Sequence, residues 1–168
     1  VLILRVHGTR WTEAMQQVSK GGSERYNVVA LAQAVKRTGI TDFLFKSDQE
    51  FPLVDLKNKV WSELGTAFHI KMEASPVDEH QSNGTIERAA WDVSGTSRTL
   101  KLQLDDAYGC KVASSHTSIP WLIKYSAVLI TLFCVGVDGR TAYERSRGKP
   151  WRKELPEFGD CSLYVAQD

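Results

Sequence analysis

The sequence is poor in everything that would tie a chain together covalently or through metal. It has three cysteines, Cys110, Cys134 and Cys161, in no C-x-x-C spacing. An odd number of distant cysteines excludes a disulfide framework or a zinc knuckle as the organising principle and points to a reducing compartment. Its four histidines are equally scattered. They lack the two short pairings of a His-His-Cys-Cys module, so no structural zinc is expected. Excess charge is also missing: 21 Lys and Arg against 20 Asp and Glu give a formal net charge of +1. Any attraction for nucleic acid must then come from a local basic face. No initiator methionine, basic leader or small-residue cleavage site opens the chain, which reads as a piece of something longer. One stretch, 119–137, approaches the roughly 20 apolar residues that cross a bilayer. Pro120 and Lys124 interrupt it, so it is expected to be a core or interface helix, with no membrane contact.

What is present is an ordinary globular composition, 42% apolar and 24% charged, which argues against disorder and fibrous repeats. At 168 residues the chain is one domain's length, enough for a real core. Val1 to Val6 and Trp11 to Val18 are apolar runs around His-Gly-Thr-Arg, the pattern of an antiparallel hairpin. Ser23 is expected to cap a helix over 24–38, with Val28, Leu31, Ala32 and Val35 on one face and Gly39 as its stop. Asp42 to Lys46 reads as a buried strand, with Asp48 just past its end. Pro52 opens a short helix carrying Leu53, Leu56, Val60 and Leu64 up to Gly65. Phe68, Ile70 and Met72 alternate with polar residues as in a half-buried strand that ends at Ser75-Pro76. After a polar loop from Val77 to Gln81, a long helix is expected from Ser82-Asn83-Gly84, with Ile86, Ala90, Val93, Leu100 and Leu104 on its apolar stripe and Glu87 near its start. A second long helix covers about 119–135, and a basic tail with a strand-like Ser162 to Val165 follows. Strand–helix–strand order favours an α/β domain with a mixed sheet.

Two acids stand out: Asp48 directly after a strand and Glu87 at the start of a long helix, with 38 residues between them. Phosphoryl transfer by two divalent ions needs carboxylates converging from different elements, since both metals must be held while they stabilise the attacking and leaving oxygens. The segments Ser47-Asp48-Gln49-Glu50 and His80-Gln81-Ser82-Asn83-Gly84-Thr85-Ile86-Glu87 resemble the second and third acidic motifs of DDE integrase cores of retroviruses and long-terminal-repeat retrotransposons. Asp138-Gly139-Arg140-Thr141-Ala142-Tyr143 and Glu157-Phe158-Gly159 are similar to sequence after the last core helix in retrotransposon polyproteins.

The resemblance implies an RNase H-like α/β fold, a mixed sheet flanked by helices, with its first strand missing and a small C-terminal appendage. It divides the chain into a partial catalytic core at 1–137 and a basic extension at 138–168. Asp48 and Glu87 would be the second and third metal-binding carboxylates, with Mg²⁺ or Mn²⁺ as cofactor. Asn83 would lie near DNA, and Gly84 would be a hinge. The implied reaction is DNA strand transfer, with water or a DNA 3′-hydroxyl as nucleophile. The implied partners are element-end and target DNA and further copies of the chain, in the nucleus or a virus-like particle. No acid occurs in Val1 to Arg10 for the first aspartate, so the triad is incomplete and the fragment is expected to be inactive alone. Trp91 and Ser94 stand where the family often has basic residues. Arg98 and Lys101 come further along the same helix, and Arg145, Arg147, Lys149, Arg152 and Lys153 surround Trp151 in the tail, a mixture suited to phosphate and base contact.

Blander accounts compete. Ser47-x-x-Glu50 has capping-box spacing, although Phe51-Pro52 interferes with a helix begun there. Glu87 could serve the helix dipole as a first-turn acid. Glu50, Asp78 and Glu79 read as solvated acids, the basic tail as a solvated surface, and Trp61, Trp91 and Trp121 as core or interface packing. Two further functions stay open: a degenerate, non-catalytic nucleic-acid-binding relic, and an interaction module assembled through the 119–135 helix.

Overall fold

A computed structural model describes residues 1–74 and 80–160, the side chains of residue 74 and of residues 80–83 excepted. Strands β1 (Leu2–Arg5) and β2 (Thr12–Met15) form an antiparallel pair, followed by helix α1 (Arg25–Thr38). Strand β3 (Asp42–Ser47), helix α2 (Phe51–Leu64) and strand β4 (His69–Ala74) form a parallel crossover unit. Three helices complete the chain: α3 (His80–Ala107), α4 (Ile119–Phe133) and α5 (Ala142–Arg147). The α/β class expected from the sequence is what forms, with one antiparallel and one parallel pair flanked by helices. The two pairs are separate two-stranded sheets, not hydrogen-bonded to one another. The expected strand-like Ser162 to Val165 and most of the expected loop before α3 lie outside the described residues.

The hairpin is the middle layer because its residues alternate between two cores. Leu2, Leu4 and Met15 face a large cluster with Val28, Leu31 and Val35 of α1, Phe45 of β3, and Leu56, Val60 and Leu64 of α2. Ile3 and Ala14 face the opposite way, onto a small cluster with Val93 of α3 and Ala127 and Ile130 of α4. The register places Leu2 opposite Met15 and Ile3 opposite Ala14, so each cross-strand pair shares a face. Strand β3 differs from the fully buried strand expected. Phe43 and Phe45 point into the large core, while Leu44, on the alternate face, is exposed, because one side of the β3–β4 sheet is covered and the other is open.

The helix ends follow the sequence except at the starts of α1 and α3. Gly39 and Gly65 stop α1 and α2 at positive φ, and Pro52 occupies the first turn of α2. Ser23 does not cap α1: the N-cap is Glu24, without a side-chain bond, and the Ser23 hydroxyl pairs with that of Ser19. Helix α3 begins at His80, earlier than expected, so Asn83 and Gly84 fall within it. Its buried stripe is Ala89, Val93 and Leu104, whereas Ile86 and Ala90, expected on that stripe, are exposed. Val93 meets Ala14 and Ile3 of the hairpin and Ala127 and Ile130 of α4.

Helix α4 is the core helix expected at 119–135, and among the described residues no helix is long and apolar enough to cross a membrane. The Thr131 hydroxyl accepts from the Thr12 amide at 3.0 Å and donates to the Thr12 carbonyl at 2.9 Å. Ser97 donates to Ser126 at 2.9 Å, joining α3 to α4. The segment after 138 packs back on the core. Tyr143 lies between Trp11 and Trp151, tilted to the first and edge-on to the second, and Tyr125 Oη donates to the Pro156 carbonyl.

Candidate nucleic-acid interface

Asp48 follows the last residue of β3 and is exposed. Its neighbourhood is no capping box, since α2 begins at Phe51 with Glu50 as N-cap and the Ser47 hydroxyl donates to the Asp48 carbonyl at 3.0 Å. Glu87 is exposed in the third turn of α3, too far along to be a first-turn acid; that turn contains none. Both bland accounts of these acids therefore lose their geometry. The elements carrying the two acids have different main neighbours: β3 packs on β4 and α2, and α3 on α4 and β1.

A metal centre needs several donors converging on one point. Among the described residues no three His, Cys, Asp or Glu side chains come together as a set that could hold an ion. Among the described residues Asp48 and Glu87 are thus two exposed carboxylates outside any such set, and the described residues do not fit a two-metal centre. Asn83 lies in the first turn of α3, its side chain outside the described residues.

Arg98 and Lys101 border a groove of about 280 Å³ between β1, α3 and α4, floored by Ile3, Val93, Leu122 and Ile123. Helical spacing places Ala90, Val93, Ser97 and Lys101 along one wall of it. Lys101 Nζ donates to Asp105 at 2.8 Å, and this bond, with one from the Val112 amide, holds the Asp105 carboxyl below its usual range. Arg98 Nε donates to the Ser94 carbonyl at 3.3 Å.

The basic tail divides into two kinds of residue. Arg145 donates to Asp138 through Nε at 2.9 Å and again through Nη2, and also to the carbonyls of Thr9 and Arg140. The pairing holds the Asp138 carboxyl far below the ordinary carboxylate range. Arg147 lies over the Trp11 ring and donates to the Arg37 carbonyl. These two arginines fasten the tail to the core, whereas Lys149, Arg152 and Lys153 are exposed. Trp151 turns edge-on to Tyr143 and is half-buried. The other expected packers behave differently: Trp61, Trp91 and Trp121 are all exposed, so none is a core residue. Their exposure on α2, α3 and α4 leaves the interface role open.

Sequence reasoning missed a cluster on the hairpin side of α3. Arg5, whose side chain is only 8% exposed, comes within 3.8 Å of Asp92 and donates to the Thr12 hydroxyl. Arg88 Nε also donates to Asp92, at 3.0 Å. Burial lowers the pKa of Arg5, partly offset by the Asp92 charge. The i, i+4 spacing of Arg88 and Asp92 was legible, but the reach of Arg5 from β1 was not.

No family model matches the chain, and neither does any curated protein. Among solved structures, the catalytic core domain of BIV integrase is similar at 14% identity and a TM-score of 0.49, over 86% of this chain and 82% of that one. A likeness that slight transfers no residue and no activity.

Proposed function

We propose that the chain is an RNase H-like integrase core of retroelement lineage that binds DNA. The observation that carries the reading is the pairing of motif and place. Asp48 comes straight after β3, and Glu87, on α3 with 38 residues between the two, closes the Gln-Ser-Asn-Gly-Thr-Ile-Glu run. Both side chains reach solvent, where a phosphodiester could meet them.

The chemistry proposed for the lineage is joining of element-end DNA to target DNA with Mg²⁺ or Mn²⁺. The described carboxylates do not complete a two-metal site, so no catalytic step is assigned to them. Residues 1–168 are expected to be silent by themselves, and joining belongs to a longer chain that contributes a further carboxylate from a strand beside β1. The exposed Arg98, Lys149, Arg152 and Lys153, together with Lys101, form the proposed DNA track. Self-association through the exposed Trp61 and Trp121 is the proposed route to an oligomer.

Duplex binding tests the reading. Fluorescence anisotropy with labelled duplex at low salt should show weakened binding for Arg98→Glu with Lys101→Glu. The slope of log affinity against log salt should flatten by about 0.9 for each phosphate that is no longer neutralised. Unchanged affinity and slope would remove this helix face from DNA binding, and absence of duplex binding by the wild-type chain would refute the function.

A further inference from the structure

A second groove, of about 450 Å³, opens between α3 and α4, distinct from the one bordered by Arg98 and Lys101. Its α3 wall is built from Arg88, Trp91, Asp92 and Gly95, at the three- and four-residue spacings that share a helix face, and Ile130 and Cys134 close the α4 side. Trp91 is 74% exposed, so a large aromatic plane is offered to solvent at the mouth of a concave surface. Gly95 leaves the wall low: a Cβ added there would meet nothing within 4 Å. Arg88 on the groove wall and Arg5 on β1 both approach the carboxylate of Asp92, two cations against one anion. The Arg88 side chain is 73% exposed and available at the rim. On β1, the buried Arg5 Nε has no hydrogen-bond partner among the described residues.

We infer that this groove receives one unpaired nucleobase of single-stranded DNA, stacked on Trp91, with the adjoining phosphate toward Arg88. The inference rests on the DNA-binding reading and narrows it to unpaired strands. An indole face stacks on any base, and a neighbouring guanidinium supplies the backbone contact, the combination by which single strands are held without sequence preference. The groove volume falls in the range of small-ligand sites, large enough for a base and too small for a duplex. A duplex keeps its bases stacked on one another and cannot use Trp91 in this way.

The test compares labelled oligo(dT) with labelled duplex on the whole 168-residue chain at low salt. Trp91→Ala should weaken oligo(dT) binding roughly 5- to 100-fold, the effect of losing one stacked base. Trp91→Phe should restore most of the binding, and duplex affinity should stay where it was. Gly95→Met, which fills the groove with a good helix former, should reproduce the loss, with circular dichroism confirming the fold. Oligo(dT) binding unchanged in both Trp91→Ala and Gly95→Met overturns the inference. So does a shift of Trp91→Ala to a smaller sedimenting species, which would make the groove a contact between copies. If those variants are inert while Arg98→Glu with Lys101→Glu still weakens duplex binding, this inference fails and the DNA-binding function survives. If the wild-type chain binds neither probe, both fail.

Discussion

The two faces of the hairpin are packed by different means. On the α1–α2 side, Leu56 and Val60 are 1% and 0% exposed and interlock with Val28, Leu31, Val35 and Phe45 in one large apolar cluster. On the α3–α4 side the apolar contacts shrink to Ala14, Val93, Ala127 and Ile130, and hydroxyls take over: Ser97 to Ser126, and Thr131 to the backbone of Thr12. Small residues bring backbones close but leave side-chain gaps, and both grooves open along α3 on that side. The large core is closed by apolar side chains throughout, and the α3–α4 face, closed in part by small side chains and hydroxyls, carries both grooves and the exposed Trp91.

The sharpest way to break this comparison is to empty the large core. Leu56→Ala should cost about 2–5 kcal/mol, since a residue so enclosed leaves a cavity that its neighbours cannot fill. Chemical denaturation would measure it, and a loss below about 1 kcal/mol would show that the cluster is not the stabilising centre.

Next comes Thr131→Val, which keeps the shape and removes the hydroxyl. It strands a buried strand amide and carbonyl of Thr12, for an expected loss of about 1–3 kcal/mol. Hydrogen exchange should show faster exchange at the Thr12 amide specifically, and equal protection would contradict the bridge.

The smallest effect belongs to the tail. The folded-state carboxyl of Asp138 lies below its unfolded value because of Arg145, so its contribution is present above the unfolded pKa, near 4, and is lost as pH falls through the depressed folded value. Thermal melts of wild type and Asp138→Asn should therefore differ at neutral pH and converge in acid. Since the pair is open to solvent, the difference should be slight and should shrink further in high salt. A gap that persists at low pH would rule out the ion pair as its cause.

Much of the fold was readable because local signals and burial agree. The positions expected on α1, Val28, Leu31, Ala32 and Val35, are all buried, and the alternation of Phe68, Ile70 and Met72 matches the face that meets the large core. The α3 stripe was right at Val93 and Leu104 and wrong at Ile86 and Ala90, because contact with the hairpin and α4 selects the face at that end and periodicity does not encode it. Ser23 failed as a cap for a similar reason: Ser19, four residues earlier, gave its hydroxyl a partner. At the candidate site, Asp48 and Glu87 could be named from their motifs and placed at a strand end and on a helix, yet their relation in space depends on how β3 and α3 pack. Charge patterning found Arg145 and Arg147 but not their engagement with Asp138, Trp11 and the Arg37 carbonyl. It passed over Arg5, whose partner Asp92 lies on another element. Trp91 was expected in core or interface packing because a helical tryptophan usually packs; its exposure removes the core half of that expectation.

The Thr131 bridge also dictates an order of events during synthesis. The Thr12 amide and carbonyl are closed by a hydroxyl 119 residues further along the chain. At roughly 5–20 residues per second of translation, the ribosome needs about 6–24 seconds to travel from one to the other. For an interval of that length after β2 emerges, its outer edge is unguarded, while α1 and α2 come to cover its Met15 side. The nascent domain thus passes through a half-clad stage in which the large core can close first and a bare strand edge waits for α4. Chaperone occupancy of ribosome-bound chains should fall once Thr131 has left the exit tunnel, and it should not fall at that length in Thr131→Val.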